Sequence, residues 1–182
     1  MNNRLKMVCI LTLFACVSGG VLSLVFLFSS PLIEANMLEE QRNSIYLVVP
    51  GVEKYEERSQ DGVQYFECLD ASGALAGYAL PAEGNGYQGV IKLMIGLTPD
   101  LGQITGIKVL EQVETPGLGG RIGEDEFQKQ FGGVKTAPEI GFVKNRKPDK
   151  DTDIQAITGA TISSRSVVAI INKTISRLRD VM

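Results

Sequence analysis

The stretch "GVIKLMIGLTPDLGQITGIKVLEQ", Gly89 to Gln112, decides the fold. Two runs rich in β-branched and apolar residues flank "TPDLG", Thr98 to Gly102, whose Pro, Asp and Gly have turn chemistry, so the stretch predicts a β-hairpin. A third strand is predicted upstream at "VQYFECLD" from Val63, which alternates loosely. Cys68 within it has no evident partner and reads as a small core residue. Downstream, Val167, Val168, Ile171, Ile175, Leu178 and Val181 recur at helical spacing. That pattern predicts an amphipathic helix packed on the sheet, with Arg177 and Arg179 near its C-terminal end. "EDEFQKQFGG", Glu124 to Gly133, predicts a short helix with acids in its first turn and glycines as its stop. "KNRKPDKDTD", Lys144 to Asp153, reads as a solvated mixed-charge loop. The expected class is α+β, a mostly antiparallel sheet with a packed C-terminal helix.

At the other end, Met7 to Ile33 carries no charge and, as a helix, would be about 40 Å long, enough to span a bilayer with some tilt. It is too long for an ordinary signal-peptide core and lacks an A-x-A-like site near its end, so a retained anchor is expected. Arg4 and Lys6 precede the run and Glu34, Glu39 and Glu40 follow it, which predicts residues 1–6 in the cytoplasm, 7–33 in a bacterial inner membrane and 34–182 as one extracytoplasmic domain. "ANMLEEQRNSIY", Ala35 to Tyr46, reads as helix continuing or restarting beyond the bilayer, ended by Pro50-Gly51.

Composition narrows the chemistry. The 182 residues carry a net charge of −3 and no histidine, which argues against a nucleic-acid partner and removes the commonest general base and metal ligand. Cys9, Cys16 and Cys68 lack metal-ligand spacing, so no metal site is expected. Two stretches remain. "AITGATISS", Ala156 to Ser164, crowds Thr158, Thr161, Ser163 and Ser164 around Gly159 and Ala160 at the start of the last helix. A helix N-terminus offers unpaired N–H groups and partial positive charge, a place for a phosphate. The alternative is that one hydroxyl simply caps the helix. "ETPGLGGRIGE", Glu114 to Glu124, has neither a phosphate-loop lysine nor a GxGxxG pattern, but Gly117 and Gly119 would let it lie against a flat ring. Pro116 and Leu118 would supply an apolar platform, and Glu114 and Thr115 hydrogen bonds to the ring's edge.

From the N-terminal anchor through "GYQGVIKLMIGL", "LGQITGIKVLEQVETPGLGGRI", "FQKQF" and "ITGATISS", the chain resembles the FMN-binding domain family. That family includes the G subunit of the Rnf electron-transport complex and the C subunit of the sodium-translocating NADH:quinone reductase. The resemblance implies FMN joined by a phosphoester to Thr161, placed there by a flavin transferase that uses FAD, with Glu114 to Gly119 beside the isoalloxazine ring. The aspartate this family usually carries six positions ahead of the threonine is Gln155 here, with Asp153 two residues earlier. The extracytoplasmic part is short, which favours the Rnf type. The implied role is electron relay among membrane-bound partner subunits of a ferredoxin:NAD oxidoreductase coupled to ion transport, without a complete active site in this chain alone. The quinone-reductase C subunit, a stand-alone flavoprotein and an unflavinated sensor or assembly module are the alternatives.

Overall fold

A computed structural model describes residues 3–182. The chain divides into two compact units, one ending at Glu40 and one from Gln41 to Met182. The first is helical. Helix α1, Asn3–Val48, passes through Pro31 and contains an 18-residue window of mean hydropathy 2.4, long and apolar enough to cross a membrane. The helix continues without a restart through the predicted outer segment and stops at Val48, before Pro50 and a positive φ at Gly51.

The second unit is built on an antiparallel meander: β1 (Lys54–Gln60), β2 (Val63–Leu69), β3 (Leu75–Asn85), β4 (Val90–Leu97) and β5 (Ile104–Glu111), neighbours in that order. The predicted hairpin is β4–β5, paired from Lys92↔Glu111 to Leu97↔Ile104, with its turn held by the Leu101 N–H donating to the Thr98 carbonyl. Sequence patterning marks three of these five strands, and the other two escape it for physical reasons. β1, "KYEERSQ", is an edge strand exposed along nearly its whole length, so no apolar face marks it. β3 is broken up by Gly77, Pro81 and Gly84, residues that ordinarily argue against a strand. Consistent with that, the β2–β3 ladder ends at Phe66↔Ala79, just short of Pro81, which has no N–H to donate.

Side chains alternate across the sheet into two cores. One face places Leu80, Leu93, Ile95 and Ile107 against α3 (Thr161–Val181), whose Val167, Val168, Ile171, Ile175 and Leu178 are all buried as the spacing predicts. The other face packs Phe66, Cys68, Ala79 and Met94 under the last turn of α1, Ile45 and Val48. That explains why β4 reads as a nearly unbroken apolar run: both its faces are covered. The end of α1 comes close enough that a Cβ on Gly96 would collide with the Val48 carbonyl, which accepts a hydrogen bond from the Thr105 hydroxyl.

After β5 the chain forms a 3₁₀ turn at Gly119–Gly123, a single α-turn α2 (Asp125–Gln128) and a second 3₁₀ turn at Lys129–Phe131. The predicted helix at 124–133 is therefore one α-turn extended by 3₁₀ geometry, with Phe127 and Phe131 edge-to-face at 5.4 Å and both buried. A small parallel pair, β6 (Gly141–Val143) with β7 (Asp153–Gln155), brackets the polar 144–152 loop and leads into α3.

Candidate functional site

The start of α3 is built unusually. The residue in the capping position is Ala160, which has no hydrogen-bonding side chain, and no side chain caps the helix. The first helical bond runs from Ser164 N–H to the Ala160 carbonyl, so the N–H groups of Thr161, Ile162 and Ser163 precede the ladder and have no helical acceptor. A serine or threonine cap would have occupied one of them. The hydroxyls instead have separate duties. Ser164, fully buried, accepts from the Ile157 N–H at 3.0 Å and donates to the Ala160 carbonyl at 3.0 Å, folding the loop onto the helix. Ser163 donates to Glu114 Oε2 at 2.6 Å, and Thr158 donates to Asn145 Oδ1 at 3.3 Å. Among the described residues, Thr161 is the remaining hydroxyl of the four, half-buried on the first turn and uncommitted to any of these bonds. Gly159, at φ +83°, makes the reversal into the helix.

Glu114 ties this helix end to two other segments. Its carboxylate is 4% exposed, and Oε1 accepts from the backbone N–H groups of Tyr87 at 2.7 Å and Gln88 at 3.0 Å. Burial pushes its pKa up, but the Ser163 hydroxyl and the backbone N–H groups of the 87–89 turn outweigh that and hold it below the ordinary glutamate range. Two glycines make room for the carboxylate. A Cβ on Gly119 would lie 2.6 Å from both Glu114 Oε2 and Ser163 Oγ, and one on Gly86 would overlap Oε1. Gly117 sits at φ +74° in the turn that brings the loop around, closed by the Leu118 and Gly120 N–H groups donating to the Thr115 carbonyl.

These ties create a cleft of about 310 Å³. Thr161, Gly159, Ala160 and Ser163 line it from the helix end, and Glu114, Thr115, Leu118 and Gly119 line it from the glycine-dense loop. Two segments forty residues apart, each conspicuous in the sequence, thus face one space. Thr158 instead opens onto a neighbouring hollow of about 400 Å³ with Arg121 and Gln155, while Gly117 shapes the loop from outside the cleft. Glu114 holds the cleft's walls through bonds already made within the protein, which differs from the expected role at a ring's edge. Tyr87, 64% exposed, and Ile162, 46% exposed, complete the lining and were not anticipated from sequence. The signal for Tyr87 was the "GNGYQG" turn between β3 and β4, since an aromatic in a tight glycine turn has no local structural purpose.

Larger hollows exist, including one of about 360 Å³ beside Lys92 and Arg177, but neither of them joins a free helix N-terminus to apolar walls. The residues present fit a phosphate-bearing ligand with a flat apolar part: free N–H groups and helix dipole for the anion, Leu118, Ile162 and Tyr87 for the ring. No groups of acidic or cysteine side chains among the described residues are arranged to hold a metal ion.

An α+β domain of this build, with an anion-ready helix end opening on an apolar slot, is a cofactor-binding module. The chain belongs to the FMN-binding domain family, whose sequence pattern matches residues 86–176, both walls of the cleft included. It is 32% identical over 171 residues to the G subunit of the ion-translocating oxidoreductase complex of Methanosarcina acetivorans, covering 90% of this chain and 88% of that one. It is 29% identical over 168 residues to the G subunit of the proton-translocating ferredoxin:NAD(+) oxidoreductase complex of Clostridium ljungdahlii, covering 92% and 88%. The fold is that of the crystal structure of Shewanella oneidensis NqrC, with a TM-score of 0.58 at 21% identity over 74% of this chain and 73% of that one.

Proposed function

We propose that this protein is a membrane-anchored electron-relay subunit of an Rnf-type ferredoxin:NAD oxidoreductase complex coupled to ion transport, carrying FMN covalently on Thr161. The observation that carries the reading is the cleft itself, in which an uncapped helix N-terminus presents Thr161 to the 114–119 loop. The two G-subunit relatives, alike over most of both chains, support the assignment to the complex.

Each residue then has a task. Thr161 Oγ1 would attack the phosphorus of the FMN half of FAD, the pyrophosphate bond to AMP breaking as the hydroxyl proton is lost. A flavin transferase would catalyse that exchange. The resulting diester keeps one negative charge, which the N–H groups of Thr161, Ile162 and Ser163 stabilise. Leu118, Ile162 and Tyr87, which line the cleft, would cover the ring. FMN supplies one- and two-electron chemistry that no side chain in the cleft can perform. Covalent attachment removes the loss of translational freedom that each rebinding would cost, which suits a domain outside the cytoplasm where free flavin is dilute. The charge pattern about α1 supports residues 1–6 inside, 7–33 in the inner membrane and 34–182 outside.

The experiment is fluorescence of the denatured protein in a gel after expression with a competent flavin transferase. Wild type and Thr158→Ala are expected to fluoresce and Thr161→Ala to be dark. A fluorescent Thr161→Ala band would move the attachment elsewhere, and a dark wild type would favour the unflavinated sensor or assembly reading.

A further inference from the structure

We propose that Glu114 is held as an anion by three hydrogen-bond donors and that its fixed charge makes the flavin in this cleft harder to reduce. The inference rests on the flavin reading above, but its structural half stands alone. Three segments far apart in sequence meet at one carboxylate: the 86–89 turn through the Tyr87 and Gln88 N–H groups, the 114–119 loop through Glu114 itself, and α3 through the Ser163 hydroxyl. Backbone N–H groups cannot become acceptors, so Oε1 must stay unprotonated toward them, and both glycines beside the carboxylate are as small as residues come. Three donors around a carboxylate that is 4% exposed describe a site built for an anion. No cation is paired with it among the described ion pairs.

An unneutralised negative charge lining the cleft has an electrostatic consequence for whatever is reduced there. Reducing an oxidised flavin takes up two electrons with one proton, giving an anionic ring, or with two protons, giving a neutral one. A neighbouring carboxylate penalises the added negative charge in the first product and gives no such penalty to the oxidised ring. The protein's own donors to Glu114 weaken that field without cancelling it, because N–H dipoles carry no net charge.

The test measures the flavin midpoint potential of the full-length, flavin-loaded protein by dithionite titration against a reference dye. Glu114→Gln keeps the shape and an acceptor for the two N–H groups, and Ser163 can turn its hydroxyl to accept from the new amide. The expected result is a positive shift, about tenfold in the reduced-to-oxidised ratio at a fixed poise, the scale of one charge across a partly desolvated site. Glu114→Asp, which keeps the charge but withdraws it by one methylene, is expected to shift the midpoint less than Glu114→Gln. An unchanged midpoint in Glu114→Gln overturns the electrostatic role. If Glu114→Gln fails to fold, Ser163→Ala decides: it keeps the charge while removing a donor that weakens its field, so a positive shift there would assign the effect to packing and overturn the proposal, and an unshifted or lower midpoint supports it. Hydrogen exchange on wild type completes the test, the Tyr87 and Gln88 amides being expected to be as protected as the middle of α3. Fast exchange at both would overturn the pin. A wild type without flavin would end the flavin reading, and the exchange result would still decide whether Glu114 holds the cleft.

Discussion

Gly119→Ala is the sharpest perturbation of the cleft that leaves every polar side chain in place. The new methyl would sit 2.6 Å from both ends of the Ser163–Glu114 hydrogen bond, itself 2.6 Å long, and 3.0 Å from Glu114 Cβ. Gly119 is not among the positive-φ glycines, so the substitution carries no backbone strain and isolates the packing effect. A hydrogen bond to a charged group contributes about 1.5–3 kcal/mol, and one excess methyl in a close-packed site costs about 1–3 kcal/mol. Because relaxation that opens the bond also relieves the crowding, the two do not add in full, and about 2–4 kcal/mol is expected. For a domain of this size that lowers Tm by about 6–12 °C, read by circular dichroism on flavin-free protein. Gly120→Ala is the control, its Cβ meeting nothing nearer than the Thr115 carbonyl at 3.3 Å, and is expected to change Tm by only a few degrees. A Gly119→Ala domain melting within about 2 °C of wild type would refute the close-packed Glu114–Ser163 lock.

Further outcomes follow from the same geometry. Thr105→Val removes the hydroxyl that holds the Val48 carbonyl and is expected to cost about 1 kcal/mol in urea unfolding, whereas Gly96→Ala, which pushes directly on that carbonyl, is expected to cost more. Glu114 contributes stability that is fully present above the ordinary glutamate pKa and is lost as pH falls through its lower folded value. Acid-unfolding curves of wild type and Glu114→Gln should therefore converge only below the ordinary glutamate range. Cys68 is fully buried, and burial raises its thiol pKa to about 11, so alkylation at pH 8 should leave it unlabelled until the domain is denatured. Ile171→Ala, in the buried face of α3, is expected to destabilise by about 2–5 kcal/mol in the same urea assay.

What the sequence disclosed and what it hid divide along physical lines. The β4–β5 hairpin and α3 were legible because one-sided or two-sided burial imposes a period on their residues, and Thr98 to Gly102 carries its own turn chemistry. β1 was hidden because an exposed edge strand needs no apolar face, and β3 because its Gly77 answers to the close approach of the Leu97 carbonyl rather than to strand propensity. The two walls of the cleft were each visible as an excess of one residue type, hydroxyls at 156–164 and glycines at 117–123. Their meeting was not, since the contact is made through Glu114 and Ser163, 49 positions apart, and nothing local marks either as a partner of the other. The division of labour among the hydroxyls was equally hidden: only geometry shows that Ala160 holds the capping position, leaving Thr161 unencumbered.

The central claim is tested most directly by the intact mass of the protein purified from native membranes and denatured to release loosely held ligands, followed by peptide mapping. The account predicts an added mass of one FMN less one water, confined to the peptide containing Thr161 and absent from Thr161→Ala. An unmodified Thr161 peptide from membranes that contain an active flavin transferase would contradict it.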